Sequence, residues 1–310
     1  MADETHQIHD KLAQQVLGQP ESAASLLERY LPERVSQALD WPSLQRLNRS
    51  FVDEHWRPSE ADFVYEVRRL ADDEPVWVYI LLEHQATPDK WLRFRLLRYC
   101  CRLWELQLSQ ESEASELRPI VPLVFYQGRS RWTYSTEFAD LFADSVRDWP
   151  GQPRFSHELV DQSGMQPSEL GGELKVRVMQ LVMMAAYHPE RPWMALADEL
   201  LRRLRALGPS GGTDYFYVFV DYILKTQEPE AIETFGEILR QGTPELGDEL
   251  MSYAQQLEER GKEQGRLQAQ VEIIENLLRL GYDWSQIEAI ARVSESEFES
   301  LKQRLSELSA

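Results

Sequence analysis

The chain has 310 residues and a mass of 36.2 kDa, with 33 Lys+Arg against 52 Asp+Glu, a net charge of −19 and a pI near 4.8. Hydrophobic residues at 43% and charged residues at 27% exclude wholesale disorder, and at about 150 residues per domain the length predicts two or more domains. The acidity excludes a protein that coats DNA in bulk, because that affinity comes from Lys and Arg releasing counterions, but it leaves room for a local basic surface.

The N-terminus, MADETHQIHDKLAQQ, has neither a basic start nor an apolar segment, so a secretory signal is not expected. A short helix is predicted from Ile8 to Leu17. A second opens at Gln19-Pro20-Glu21, gathers Leu26, Leu27, Tyr30 and Leu31 on one side, and stops at Pro32. Leu47 to Asp53 reads as a short strand. Asp62 to Leu70 alternates with period two, Phe63, Tyr65 and Val67 lying on one face and Asp62, Val64 and Glu66 on the other. After the polar turn Ala71-Asp72-Asp73-Glu74, the run Val76 to Leu82 is apolar on both faces, as a central strand is, and continues into Glu83-His84-Gln85. No apolar run exceeds seven residues, far short of the roughly 20 that cross a membrane.

From Thr87-Pro88-Asp89 a long helix runs to about Gln107, with Thr87 or Asp89 as its cap. It carries the two adjacent cysteines, Cys100 and Cys101, which suit buried thiols in a reducing, cytoplasmic setting better than a disulfide framework. An acidic, serine-rich loop, Ser109 to Glu116, precedes another buried strand, Pro119 to Tyr126, ended by Gln127-Gly128. Beyond about residue 160 the pattern becomes helical: Leu170–Tyr187, Trp193–Leu207, Asp214–Lys225 and Pro229–Leu239, with Gly208 to Gly212 as the clearest linker. The charged tail from Glu245 to Ala310 ends in a helix pair, Asp283–Ala291 and Ser294–Lys302, in which Ser294 and Glu297 fit a capping box. Domains are expected at residues 1–160, 161–250 and 251–310, the last a candidate oligomerisation or helix-turn-helix-like segment.

The chemistry centres on the hairpin. With its loop centred between Asp72 and Asp73, opposed residues have numbers summing to 145, which sets Asp62 against Glu83 at the about 4.5–5.5 Å between Cβ atoms of a cross-strand pair. Two carboxylates that close repel unless a cation lies between them, and hard oxygen ligands suit Mg²⁺ or Mn²⁺. The carbonyl of His84 would be a third ligand. Gln85, pointing the same way as Glu83, would orient a water or a phosphate oxygen. The competing reading is a pair of solvent-facing acids on an edge strand.

The order helix, strand, strand with Asp, strand with Glu-x-Gln, helix, strand resembles the αβββαβ core of the PD-(D/E)xK nucleases. The wording of His9-Asp10, Leu26-Leu-Glu-Arg-Tyr-Leu-Pro32, Ser50-Phe-Val-Asp-Glu54, Ala61-Asp-Phe-Val-Tyr65, Leu82-Glu-His-Gln-Ala86, Phe94-Arg-Leu-Leu-Arg-Tyr99 and Ile120-Val-Pro-Leu-Val-Phe-Tyr-Gln-Gly128 is similar to the YhgA-like putative transposases, also called Rpn recombination-promoting nucleases, over about residues 8–145. The resemblance implies an α/β fold with an all-helical C-terminal half, and Asp62, Glu83 and Gln85 as the catalytic set. It makes Asp62, Glu83 and the His84 carbonyl the metal ligands, with Gln85 where the superfamily has lysine. This chain departs from the family after His9-Asp10, where Ala13 and Gln14 replace an aromatic and a lysine. Asp10 and Glu28 are candidate further acids, with helix capping and surface solvation as the other reading.

Lys90, Arg93, Arg95, Arg98 and Arg102 give five positive charges and no acid from 90 to 104. Arg95, Arg98 and Arg102 fall on one helical face, expected to bind DNA phosphate, and Arg129 and Arg131 would extend the patch. In the tail, Leu267, Val271, Ile274, Leu278 and Leu280 form a stripe for self-association or for packing inside a bundle. These features predict a cytoplasmic, Mg²⁺- or Mn²⁺-dependent DNA endonuclease that promotes recombination, with DNA and a second copy as partners and no membrane. The rival reading is a catalytically weak protein- or DNA-binding module on the same fold.

Overall fold

The computed structural model describes residues 2–47, 62–83, 87–188, 194–209 and 213–309. Three helices, α1 (Ala2–Leu17), α2 (Pro20–Tyr30) and α3 (Glu33–Ser36), lead into a mixed sheet of five strands. The strands are β1 (Leu39–Arg46), β2 (Asp62–Arg69), β3 (Pro75–Glu83), β4 (Ile120–Tyr126) and β5 (Glu158–Asp161), in that spatial order. β1, β2 and β3 are antiparallel, whereas β4 and β5 run parallel to β3. Helix α4 (Leu92–Gln110) makes the crossover from β3 to β4 that a parallel pair requires.

The first strand lies earlier than the sequence indicates. The expected strand over 47–53 begins where β1 has ended; Leu47 still donates to the Val64 carbonyl at 2.9 Å, and 48–53 fall outside the described residues. Pro42 hid the true strand, because proline removes a ladder donor. It is accommodated on the sheet edge, where the register breaks between Asp40 and Gln45 and the Ser43 hydroxyl accepts the Arg68 N–H at 2.9 Å.

The hairpin register also differs from expectation. Asp62 pairs with Leu81 and Arg68 with Pro75, so paired numbers sum to 143 and Asp62 is not opposite Glu83. The Arg69 N–H meets the Glu74 carbonyl at 2.9 Å, which closes the ladder earlier and makes residues 70–73 the loop. Asp73 turns it with φ +60°, a left-handed conformation that Asp tolerates better than most residues.

On one face of the sheet, Val64, Trp77, Tyr79, Leu81, Val124 and Tyr126 pack with Leu92, Leu96 and Leu103 of α4. The alternate positions face α1, where the Tyr65 hydroxyl donates to the Leu17 carbonyl. Helices α5 (Leu174–Tyr187), α6 (Met194–Leu207) and α7 (Tyr215–Thr226) follow, and α5 and α7 pack on α1. Residues 1–238 therefore form one compact unit and 239–310 another. The division expected at 160/161 falls inside the first unit, because α1 cannot bury its apolar face without the later helices. The division expected at 250/251 falls inside α9. No helix among the described residues is long and apolar enough to cross a membrane.

The last helices are α8 (Pro229–Gly242), α9 (Pro244–Arg279), α10 (Trp284–Ala291) and α11 (Glu295–Ser309). Val271 and Ile274 of α9 join Ile287, Val293 and Phe298 in a small core, whereas Leu278 and Leu280 stay exposed, so the expected stripe divides. The capping box forms: the Ser294 N–H donates to Glu297 Oε2 at 2.8 Å and the Glu297 N–H to Ser294 Oγ at 3.4 Å.

A chain of buried amides ties the end of β4 to α5 and α2. Gln180 Nε2 donates to the carbonyls of Gly171 at 2.7 Å and Val176 at 3.1 Å. Its oxygen must therefore face Tyr30 OH at 2.6 Å and Gln162 Nε2 at 2.7 Å. Gln162 in turn accepts from Gln127 Nε2 at 2.8 Å. A buried group that loses its partner costs about 1–3 kcal/mol. Gln162→Leu strands Gln127 Nε2 and removes a donor from Gln180, so urea unfolding should show a loss of about 2–3 kcal/mol; a variant as stable as the wild type would refute the role given to this chain.

Candidate active site

Glu83 ends a strand that is otherwise apolar on both faces, and it is 3% exposed. An isolated carboxylate at such depth is costly, and a paired one is not. Its partner is Arg95, from the second turn of α4, with Nη2 2.7 Å from Glu83 Oε2. Arg95 Nη1 also lies 3.6 Å from Asp89 Oδ2, while Asp89 Oδ1 accepts the Trp91 N–H at 2.8 Å where α4 begins. Burial opposes the Arg95 charge, but Glu83 and then Asp89 and Tyr99 outweigh it, and the net shift in its pKa is upward.

Glu83 is level with Tyr126 across the parallel pair, and the Gln127 N–H donates to the Glu83 carbonyl at 3.0 Å. The carboxylate thus lies at the C-terminal ends of β3 and β4, where open α/β sheets place their ligand crevices. Position 62 falls on the same sheet face as 81 and 83, displaced from 83 by one diagonal step of about 7–8 Å. The Asp62 side chain, and His84 and Gln85 entirely, lie outside the described residues. Among the described residues no three His, Cys, Asp or Glu side chains are grouped as a metal site.

A second layer comes from helices far along the chain. His9 and Asp10 on α1 are buried. The His9 ring stacks on Tyr187 at 5.1 Å, and His9 Nδ1 lies 2.5 Å from Tyr222 OH of α7. Burial raises the Tyr187 pKa, and Asp10, Glu83 and Tyr126 add to the rise while Arg129 opposes it. Tyr126 is pushed up to about 12 by burial, then Asp161 and Glu83; its hydroxyl donates to the Ser130 carbonyl at 2.8 Å. Asp10, Glu83, Tyr126, Tyr187 and Arg129 thus share one electrostatic neighbourhood. Of these, Tyr126 and Tyr187 carried no signal in the sequence, since each ends an apolar run and reads as core. Glu28, the other candidate acid, is exposed on α2.

The basic face of α4 splits. Arg95 turns inward to Glu83. Arg93 is 3% exposed and donates through Nη1 to the Glu137 carbonyl at 2.8 Å. Arg98 is exposed, and Arg102 is exposed and paired with Glu105 at 2.8 Å. Arg129 and Arg131 are exposed beyond β4.

Below Arg93 lies His157, 4% exposed, its ring edge-on to Trp132 at 6.4 Å. Burial and then Arg93 push its pKa from 6.5 down to about 4. The unfolded chain binds this proton and the folded one resists it, so its effect on stability is absent above pH 6.5 and destabilising as pH falls toward 4. At about 1.4 kcal/mol per unit the full effect is about 3 kcal/mol. Denaturant unfolding at pH 7 and pH 4.5 should show the wild type losing stability relative to His157→Gln on acidification; parallel losses in both would rule this out.

The sequence matches the family described as "Putative transposase, YhgA-like" over residues 7–209, more than half of the chain. It is 26% identical to the recombination-promoting nuclease RpnA of Escherichia coli K12 over 303 residues, covering 95% of this chain and 97% of that protein. It is also 26% identical to the recombination-promoting nuclease RpnD of Escherichia coli O157:H7 over 254 residues, covering 80% and 93%. A third relative, the inactive recombination-promoting nuclease-like protein RpnE of Escherichia coli K12, is 22% identical over 303 residues, covering 93% and 95%. No solved structure matches.

Proposed function

The chain belongs to the YhgA-like putative transposase family, and on that footing we propose that it is a metal-dependent DNA endonuclease that promotes recombination by hydrolysing phosphodiester bonds. The observation that carries this reading is the buried Glu83 carboxylate at the C-terminal end of β3, on the same sheet face as position 62. The β1–β2–β3 meander, the α4 crossover and parallel β4 support a PD-(D/E)xK core, as do relatives named recombination-promoting nucleases.

Hard carboxylate donors at the end of a buried strand fit Mg²⁺ or Mn²⁺, with Asp62, Glu83 and the His84 carbonyl as its holders. Such an ion, when bound, polarises a phosphate and lowers the pKa of its water. The protein's own groups have distinct tasks. Arg95 provides the fixed positive charge beside Glu83 that a lysine in place of Gln85 would otherwise bring. As an arginine it orients and neutralises but does not take a proton. Tyr187, its pKa raised by burial, stays protonated at neutral pH and acts as a hydrogen-bond donor, while the Tyr126 O–H is held by the Ser130 carbonyl. Gln85 orients a water or a phosphate oxygen, and Arg98 and Arg102 hold the DNA backbone with Arg129. Self-association through the second unit is supported by the exposed Ile273, Leu280 and Ile290, and a reducing cytoplasm suits the two free cysteines.

A second reading, a nuclease-fold protein that binds without cutting, is favoured by the Arg95–Glu83 ion pair, which would compete with a metal for the same carboxylate, and by the relatives named as inactive. Nicking of supercoiled plasmid in Mg²⁺, Mn²⁺ or EDTA separates the two. The wild type should nick only with a metal, and Asp62→Asn and Glu83→Gln should each lower the rate at least a hundredfold. Equal nicking by all three proteins would discard this site, and no nicking by folded wild type would leave the binding reading. Arg95→Lys should keep more activity than Arg95→Ala if the charge matters, and both should fall together if the fork geometry does.

A further inference from the structure

The rotation of α4 is set by Leu92, Leu96 and Leu103, which turn onto the sheet. That rotation leaves two large rings in water at the start of the helix: Trp91 is 57% exposed and Phe94 52%. The Trp91 carbonyl accepts the N–H groups of Phe94 at 3.0 Å and Arg95 at 3.1 Å, so Trp91 caps the helix and Phe94 lies in its first turn. Arg98, exposed, continues the same line at the next turn. The Lys90 ammonium lies 5.4 Å from the Trp91 ring centroid. With Arg93 and Arg95 turned inward, the outward face of this segment has aromatic rings flanked by Lys90 and Arg98.

Two rings flanked by cations along one ridge match the chemistry of a strand whose bases are unpaired, since base faces stack on the rings while phosphates meet the cations. A duplex conceals its base faces and offers the ridge only phosphate. A second copy of this chain, at −19, would satisfy the cations, but its exposed apolar residues such as Ile273 and Leu280 are aliphatic side chains and not the flat faces on which these rings stack. The ridge is also tied to the candidate site: Arg95, on the inner side of the same turn, holds Glu83 at 2.7 Å. We propose that Trp91 and Phe94, with Lys90 and Arg98, form a stacking platform for unpaired bases, so that the substrate is DNA with a single-stranded segment, delivered beside Glu83. This rests on the nuclease reading and specifies its substrate.

The test is fluorescence anisotropy with the full chain in EDTA, comparing a labelled oligothymidylate with a labelled duplex of equal length. Trp91→Ala/Phe94→Ala should weaken single-strand binding at least tenfold and change duplex binding less than twofold. Both positions are exposed, so its thermal unfolding should match the wild type. Trp91→Phe/Phe94→Tyr should restore single-strand binding. Arg98→Ala should weaken both ligands and lower the salt slope by about one. Equal losses on both DNAs, no loss on either, or no binding of wild type to oligothymidylate would each overturn the platform. So would a change in sedimentation with single-strand affinity unaltered, which would assign the ridge to a second copy. Metal-dependent nicking and its loss in Glu83→Gln are read separately, so the platform and the nuclease reading can fail independently.

Discussion

Ending a fully buried strand on a carboxylate creates a demand that the surrounding structure must meet. Removing Glu83 from water without a counter-charge would cost several kcal/mol, and the apolar run before it leaves no way to turn the side chain out. Arg95 answers from α4, and its place there requires the helix to start near Asp89 and to pack by Leu92, Leu96 and Leu103. The inward turn of Arg95, away from Arg98 and Arg102, follows from that pairing.

The central elements were legible because their physics is local. Period-two alternation marked β2, a two-faced apolar run marked β3 and β4, and an acid-free helical segment marked α4. β1 was hidden by Pro42, whose cost is small only on an edge, and edge position is a tertiary fact. β5, four residues long, is too short to show a period. The hairpin register depended on where one backbone hydrogen bond closes, Arg69 to Glu74, and polar loop residues do not encode that choice uniquely. Glu83 stands out in the sequence because it ends an apolar run, whereas the spacing of Arg95 with Arg98 and Arg102 gives no sign that Arg95, twelve residues on, pairs with it.

The same limit applies to the second layer. Asp10 beside a helix start looks like a cap in one dimension, and Tyr187 looks like core. Only the packing of α5 and α7 on α1 brings these groups into the field of Glu83. The change to helical character after residue 160 is a change of secondary structure and not of domain, because α1 and the later helices bury one another.

The His9–Tyr222 contact joins residues 213 apart. Closing it requires most of the first unit to exist, since α7 must have been made before α1 can finish packing. At about 5–20 residues per second of synthesis, α1 waits on the order of ten to forty seconds for its partner. During that interval the β2–β3 hairpin can form, yet the layer around Tyr187 cannot. The nascent chain therefore passes through a stage with the β2–β3 hairpin and Glu83 in place and the helical layer around them unbuilt, so completion of that neighbourhood is timed by translation and not by the folding of the sheet.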